Sequence, residues 1–125
     1  YNDVNQHFYI QNMLVGKNKT LWDGVYYMTE DHIATLSESI SAQLTGIVLI
    51  FSKYTNATVR DYAFSSHFIP KQFINLHNGG GMQFQVGDSN IAYKYLQIYN
   101  DKIVGNEVNK DGNNIYYVLR YVIGV

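Results

Sequence analysis

The sequence predicts an all-β chain, an antiparallel β-sandwich of jelly-roll-like kind. Three observations carry this. Alternation with period two recurs along the chain, whereas a sustained 3.6-residue period does not. Twelve tyrosines and six phenylalanines suit half-buried pleated surfaces better than helices. Glycine, asparagine and aspartate clusters punctuate the runs at short intervals, as tight turns between short strands require. A length of 125 residues is that of one domain with its own core.

Taken in order, "LWDGVYYM" at 21–28 holds the only tryptophan, with Asp23-Gly24 reading as a turn. "TEDHIATLSESISAQL" is the one segment with a helical option, since Ile33, Leu36, Ile40 and Leu44 come close to one face. Its alternating serines and threonines favour a strand over 33–44. "GIVLIFSKY" is apolar throughout its first half, as a strand covered on both faces would be. "VRDYAFSSHF" places Arg60, Tyr62, Phe64, Ser66 and Phe68 on one mainly aromatic face, with Asp61, Ala63, Ser65 and His67 on the other. Pro70 then marks a sheet corner, because proline is tolerated at strand ends and edges but not within a central ladder. Gly79-Gly80-Gly81 reads as a flexible turn. In "IAYKYLQIY", Ile91, Tyr93, Tyr95, Gln97 and Tyr99 oppose Ala92, Lys94, Leu96 and Ile98. The terminal "IYYVLRYVIGV" opposes Tyr117, Leu119, Tyr121 and Ile123 to Tyr116, Val118, Arg120 and Val122. Further turns are expected at Lys17 to Thr20, Thr45-Gly46, Thr55-Asn56, Gly87 to Asn90, Asn100-Asp101 and Asn109 to Asn114.

Composition narrows the function. A net charge of −1 with nine scattered basic residues leaves no basic stripe to track phosphates, so no nucleic-acid partner is expected. Charged residues make up only 15% of the chain, and amides and hydroxyls take over the surface. The longest apolar run, "GIVLIF", is far shorter than the roughly 20 residues of a spanning helix, and no membrane insertion is expected. The absence of cysteine rules out disulfides and thiolate metal sites. The chain begins at Tyr1 with no signal-like segment, which suggests a piece of a longer protein.

No catalytic constellation is legible: there is no G-x-S-x-G elbow and no H-E-x-x-H. His67 reads as a hydrogen-bonded histidine at a sheet edge. His7, His32 and His77 lie in dissimilar segments, and "NKDGNN" lacks the alternating acids and closing glutamate of a calcium loop, so neither metal nor cofactor is expected. Glycoside cleavage needs two facing carboxylates. Of the acids, Asp61 is the most unusual, because Asp23, Asp88, Asp101 and Asp111 sit in turn signals. Trp22 beside Asp23 offers an apolar platform next to a hydroxyl acceptor, a combination suited to a sugar, although Trp22 also suits the plug at a sandwich end.

Taken together, "LWDGVYYM", "GIVLIFSKY", "HFIPKQF", "YKYLQIYNDKIVGN" and "VLRYVIGV" resemble the C-terminal head domain of tail receptor-binding proteins from phages of Gram-positive bacteria. The resemblance covers residues from about 20 to the end. It implies a receptor-binding head over 20–125, with 1–19 as an incoming strand or the connection to a missing upstream shaft. It further implies a non-enzymatic homotrimer at the tip of the phage tail, joined to shaft and baseplate proteins and binding host cell-wall saccharide. On that reading Trp22 and Asp23 serve as stacking platform and hydroxyl acceptor. Arg60, Tyr62, His67 and Lys71 then line a groove near a subunit boundary, where a cation also suits a phosphate-bearing teichoic acid. A purely structural trimerising tip is the alternative, and a wall-polymer hydrolase a third.

Overall fold

A computed structural model describes residues 18–88 and 91–125. Its strands are β1 (Lys19–Tyr26), β2 (Ile33–Thr35), β3 (Gly46–Thr55), β4 (Thr58–Val59), β5 (Ser65–Pro70), β6 (Gly80–Gln85), β7 (Tyr93–Ile98), β8 (Lys102–Val104) and β9 (Tyr117–Gly124), with a short α-helix, α1 (Gln72–His77), and 3-10 turns at Ile40–Ala42, Glu107–Lys110 and Gly112–Tyr116. They form two antiparallel sheets, the all-β sandwich that the alternation predicts. In one sheet β9 lies between β1 and β3, and β5 and β4 pair successive stretches of the other edge of β3; the second sheet runs β2-β8-β7-β6.

The core sits between the sheets because alternate residues of each strand point the same way. Ile47, Leu49 and Phe51 of β3, Ile69 of β5, and Leu119 and Val122 of β9 are fully buried. They face Ala34, Phe84, Leu96, Ile98 and Ile103 from the second sheet in one apolar cluster. Phe51 and Phe84 meet across it at 6.2 Å between ring centres. Each fully buried large side chain contributes roughly 1.5–3 kcal/mol by leaving water.

Several expectations need correction. The strand expected over 33–44 is limited to Ile33–Thr35, followed by a 3-10 turn at Ile40–Ala42. The backbone there bonds outside any ladder: Leu36 and Ile40 donate to the carbonyls of Asp101 and Asn100 at 3.0 and 2.8 Å, and Ser37 to that of Leu21 in β1 at 2.9 Å. Helix instead follows Pro70, where α1 carries the chain from one sheet to the other. Asp23-Gly24 is no turn but lies inside β1, at a register irregularity between Asp23 and Tyr26. Lys19 and Thr20 likewise belong to β1, and Gly80 and Gly81 to β6. The incoming segment assigned to 1–19 lies, up to residue 17, outside the described residues, as do His7 and part of the turn at 87–90.

The turns at Thr55-Asn56 and Asn100-Asp101 are present, the first with positive φ at Asn56 and Ala57. The 105–114 segment is held by buried asparagines. Asn114 accepts from the backbone of Tyr93 at 2.9 Å, and Asn109 accepts from that of Tyr95 at 2.7 Å.

Candidate functional site

The outer face of the five-stranded sheet gathers the most varied chemistry. Register places Phe68, Val48, Ile123 and Thr20 in one row across β5, β3, β9 and β1, and Ser66, Ile50, Tyr121 and Asp23 in the next. Beyond them β9 slips against β3: Ile50 pairs with Tyr121 but Phe51 with Leu119, leaving Arg120 as the extra residue of a β-bulge. The bulge corrects the alternation expected for the terminal strand. Tyr117, Leu119 and Val122 turn inward, and Tyr121 and Ile123 outward.

Arg120 organises this end of the face. Its Nη1 donates to the Asp61 carboxylate at 3.0 Å and to the Ser52 hydroxyl at 2.9 Å, and its Nη2 to the Tyr121 hydroxyl at 3.4 Å. The guanidinium lies 5.8 Å from the ring centre of Phe64 and 5.4 Å from that of Tyr121. It is thus buried among aromatic walls, with 12% of its side chain exposed, while Asp61 is 80% exposed. The result is a carboxylate oriented by a cation at its back and open to solvent at its front. Phe64, which packs on the guanidinium, and Tyr62, next to Asp61 in the chain, are both about half exposed.

The loop is shaped by its own residues. Positive φ at Ala63 breaks the strand-like alternation expected over 59–68. That break brings Asp61 to the same side as Phe64 instead of the opposite one. Downstream, from Ser65 to Pro70, the predicted alternation holds, with Phe68 outward and His67 inward. Backbone bonds tie the loop to β3: Arg60 donates to the Lys53 carbonyl at 2.9 Å, and Lys53 to that of Tyr62 at 3.2 Å.

The six residues singled out from sequence do not converge. Arg60 and Tyr62 lie in this loop, where the Arg60 side chain bonds back to Thr55, Nε to Oγ1 at 3.2 Å. Asp23 is on the same outer face, opposite Tyr121. Trp22 points to the inner side, packed against the core, with its ring lying over Gly24 and 5.2 Å from that of Tyr26. Trp22 and Asp23, adjacent in a strand, therefore cannot act together as platform and acceptor. Lys71 is at the far end, donating to the Gln43 carbonyl at 3.1 Å.

His67 faces inward on edge strand β5, between Phe51 and Phe84 at 5.7 and 5.3 Å, and bonds to Ser65 at 3.3 Å. Burial pushes its imidazole below the ordinary histidine value, against a backbone hydrogen bond at Gln85 that acts the other way. Arg120 was missed as a site residue. Its signal was a lone cation in an otherwise apolar strand, where a bulge and a partner were to be expected. Among the described residues no cluster of three metal-ligating side chains occurs. Neither a family model nor a curated protein matches the chain.

Proposed function

We propose that residues 20–125 form the receptor-binding head of a phage tail protein, which attaches the virion to cell-wall carbohydrate of a Gram-positive host without chemistry on it. The observation that carries this reading is the exposed Asp61 carboxylate, fixed from behind by Arg120, with the half-exposed Phe64 on the same guanidinium and the half-exposed Tyr62 next in the chain. An oriented carboxylate accepts from neighbouring sugar hydroxyls, and aromatic rings offer their faces to the apolar side of a pyranose. A hydrolase would need a second carboxylate facing the first, whereas Asp61 faces a guanidinium.

The head works as a homotrimer on a shaft at the tail tip, and the outer row of Phe68, Val48 and Ile123 is the surface suited to a neighbouring copy. Phe68 is 53% exposed in the single chain. An apolar row of this kind is typical of what subunits cover. The row lies toward the Pro70 end of the sheet and Asp61 toward the other, so packing along it leaves the carboxylate beside a subunit boundary. Three weak sites on one particle reinforce one another, since later contacts become intramolecular. The same row favours the second reading, a tip that only trimerises.

The test is binding of the labelled protein to isolated Gram-positive walls before and after chemical removal of wall polysaccharide. Saturable binding that disappears on stripping is expected. A trimer that ignores intact walls of its host points to the structural tip instead.

A further inference from the structure

The outer face of the second sheet has a different character, set by register. Gln85 pairs with Tyr93, Gln83 with Tyr95, and Gly81 with Gln97, so these six side-chain positions share one face of β6 and β7. None of them carries an ionised group. Gln83 and Gln85 are exposed and Gln97 half-buried. Among the described residues the three amides make no side-chain hydrogen bond, which leaves their donors and acceptors to an outside partner.

Glycine dictates how the tyrosine sits. A methyl group on Gly81 would overlap the phenol end of Tyr95, so the ring lies diagonally across the strand pair, over bare backbone. The phenol end thus occupies the space that a side chain at position 81 would fill, and the half-buried ring stays at the surface of the sheet. Tyr99 repeats the arrangement at the end of the face, where a methyl on Gly79 would come within 2.7 Å of its ring, with the Lys102 ammonium 5.1 Å from the ring centre. Tyr95 and Tyr99 are four residues apart, about 13 Å along an extended chain, a span that an oligosaccharide bridges and a monosaccharide does not.

We infer that this Tyr93, Tyr95, Gln83, Gln85 and Gln97 face is a second saccharide-binding surface, and that its ligand is an uncharged glycan chain. Flat aromatic faces beside unengaged amides match the alternating apolar and hydroxyl surfaces of a neutral sugar polymer. A phosphate-bearing polymer would call for arginine or lysine among these residues, whereas the cation nearest them, Lys102, stands at the Tyr99 end. A second copy of this chain would call for apolar residues among these positions, whereas those of this sheet's outer face, Val104 and the exposed Ile33, belong to β8 and β2. The inference rests on the adhesion reading only for the source of the glycan, the host wall.

The test is a titration of the 15N-labelled chain with neutral oligosaccharides of glucose, rhamnose and N-acetylglucosamine, each from one to six units, with a glycerol phosphate oligomer as the charged control. Expected are millimolar shifts of β6 and β7 amides that strengthen with chain length and are absent with the charged control. Tyr95→Ala, and Gly81→Ala, which keeps the tyrosine but lifts its ring, should each weaken the response of β6 and β7 by about tenfold. Well-dispersed spectra of both variants would show that the fold survives. Silence of β6 and β7 toward every neutral oligosaccharide would overturn the inference, as would a change in solution mass on Tyr95→Ala. Shifts confined to residues 60–64 would overturn it while leaving the adhesion reading in place. Failure of whole walls to bind, with β6 and β7 still responding, would do the reverse.

Discussion

Lys94 is the clearest case of a residue placed by pattern against its own chemistry. Alternation in "IAYKYLQIY" assigns it to the side of Ala92, Leu96 and Ile98, and there it is, fully buried in β7. Its ammonium donates to the carbonyls of Tyr27 and Asn109, both at 2.9 Å. Burial pushes its pKa down to about 7 from 10.5, because a charge loses more by leaving water than two carbonyls return. Between those values the unfolded chain holds a proton that the folded chain does not, so stability rises with pH through this window. The penalty is largest below the folded value. Chemical denaturation should show a gain on the order of 2 kcal/mol from pH 7 to pH 9, and Lys94→Met should flatten that slope. At Asp61 the expectation is the opposite kind of effect. Asp61 itself is exposed, and asparagine keeps an acceptor for the buried Arg120, which also holds Ser52 and Tyr121, so Asp61→Asn should cost on the order of 1 kcal/mol in denaturation and yet lose most of the binding to walls.

Elements were legible where one period ran unbroken and illegible where backbone irregularity intervened. The two faces of β7 follow from alternation alone, as does the inward burial of Ile47, Leu49 and Phe51. The bulge at Arg120 and the positive φ at Ala63 each shift side chains to the other face, and neither leaves a glycine or proline to announce it. The same two irregularities assemble the candidate site, bringing together Asp61, Phe64 and Arg120, of which unbroken alternation sets Asp61 and Phe64 on opposite faces. The helix after Pro70 was missed because six residues are too few to show a period. Close approach explains another element-scale constraint. At Gly105, following β8, a side chain would overlap the backbone carbonyls of Met28 and Thr29, where neither partner can move aside. Gly105→Ala should therefore destabilise by about 2–4 kcal/mol in denaturant unfolding, unlike Gly81→Ala, which meets only the end of a flexible side chain.

At the scale of the whole molecule the sandwich offers two unlike outer faces, one with an apolar row and an arginine-held carboxylate, the other of tyrosine and glutamine. The sheets and their shared core could be read from composition and alternation. What the outer faces meet could not, since an apolar outward row and an apolar inward one look alike in sequence. If the row of Phe68, Val48 and Ile123 joins copies, Phe68→Asp should convert a trimer to monomers in sedimentation while leaving the fold intact, because Phe68 is not part of the core. On the proposed reading the Asp61 face holds wall carbohydrate. The most direct test is the binding isotherm of wild type and Asp61→Asn on the same host walls, with near-UV circular dichroism confirming that both are folded. Saturable binding by the wild type and its loss in Asp61→Asn is the predicted result. Equal binding by the two folded proteins would contradict it.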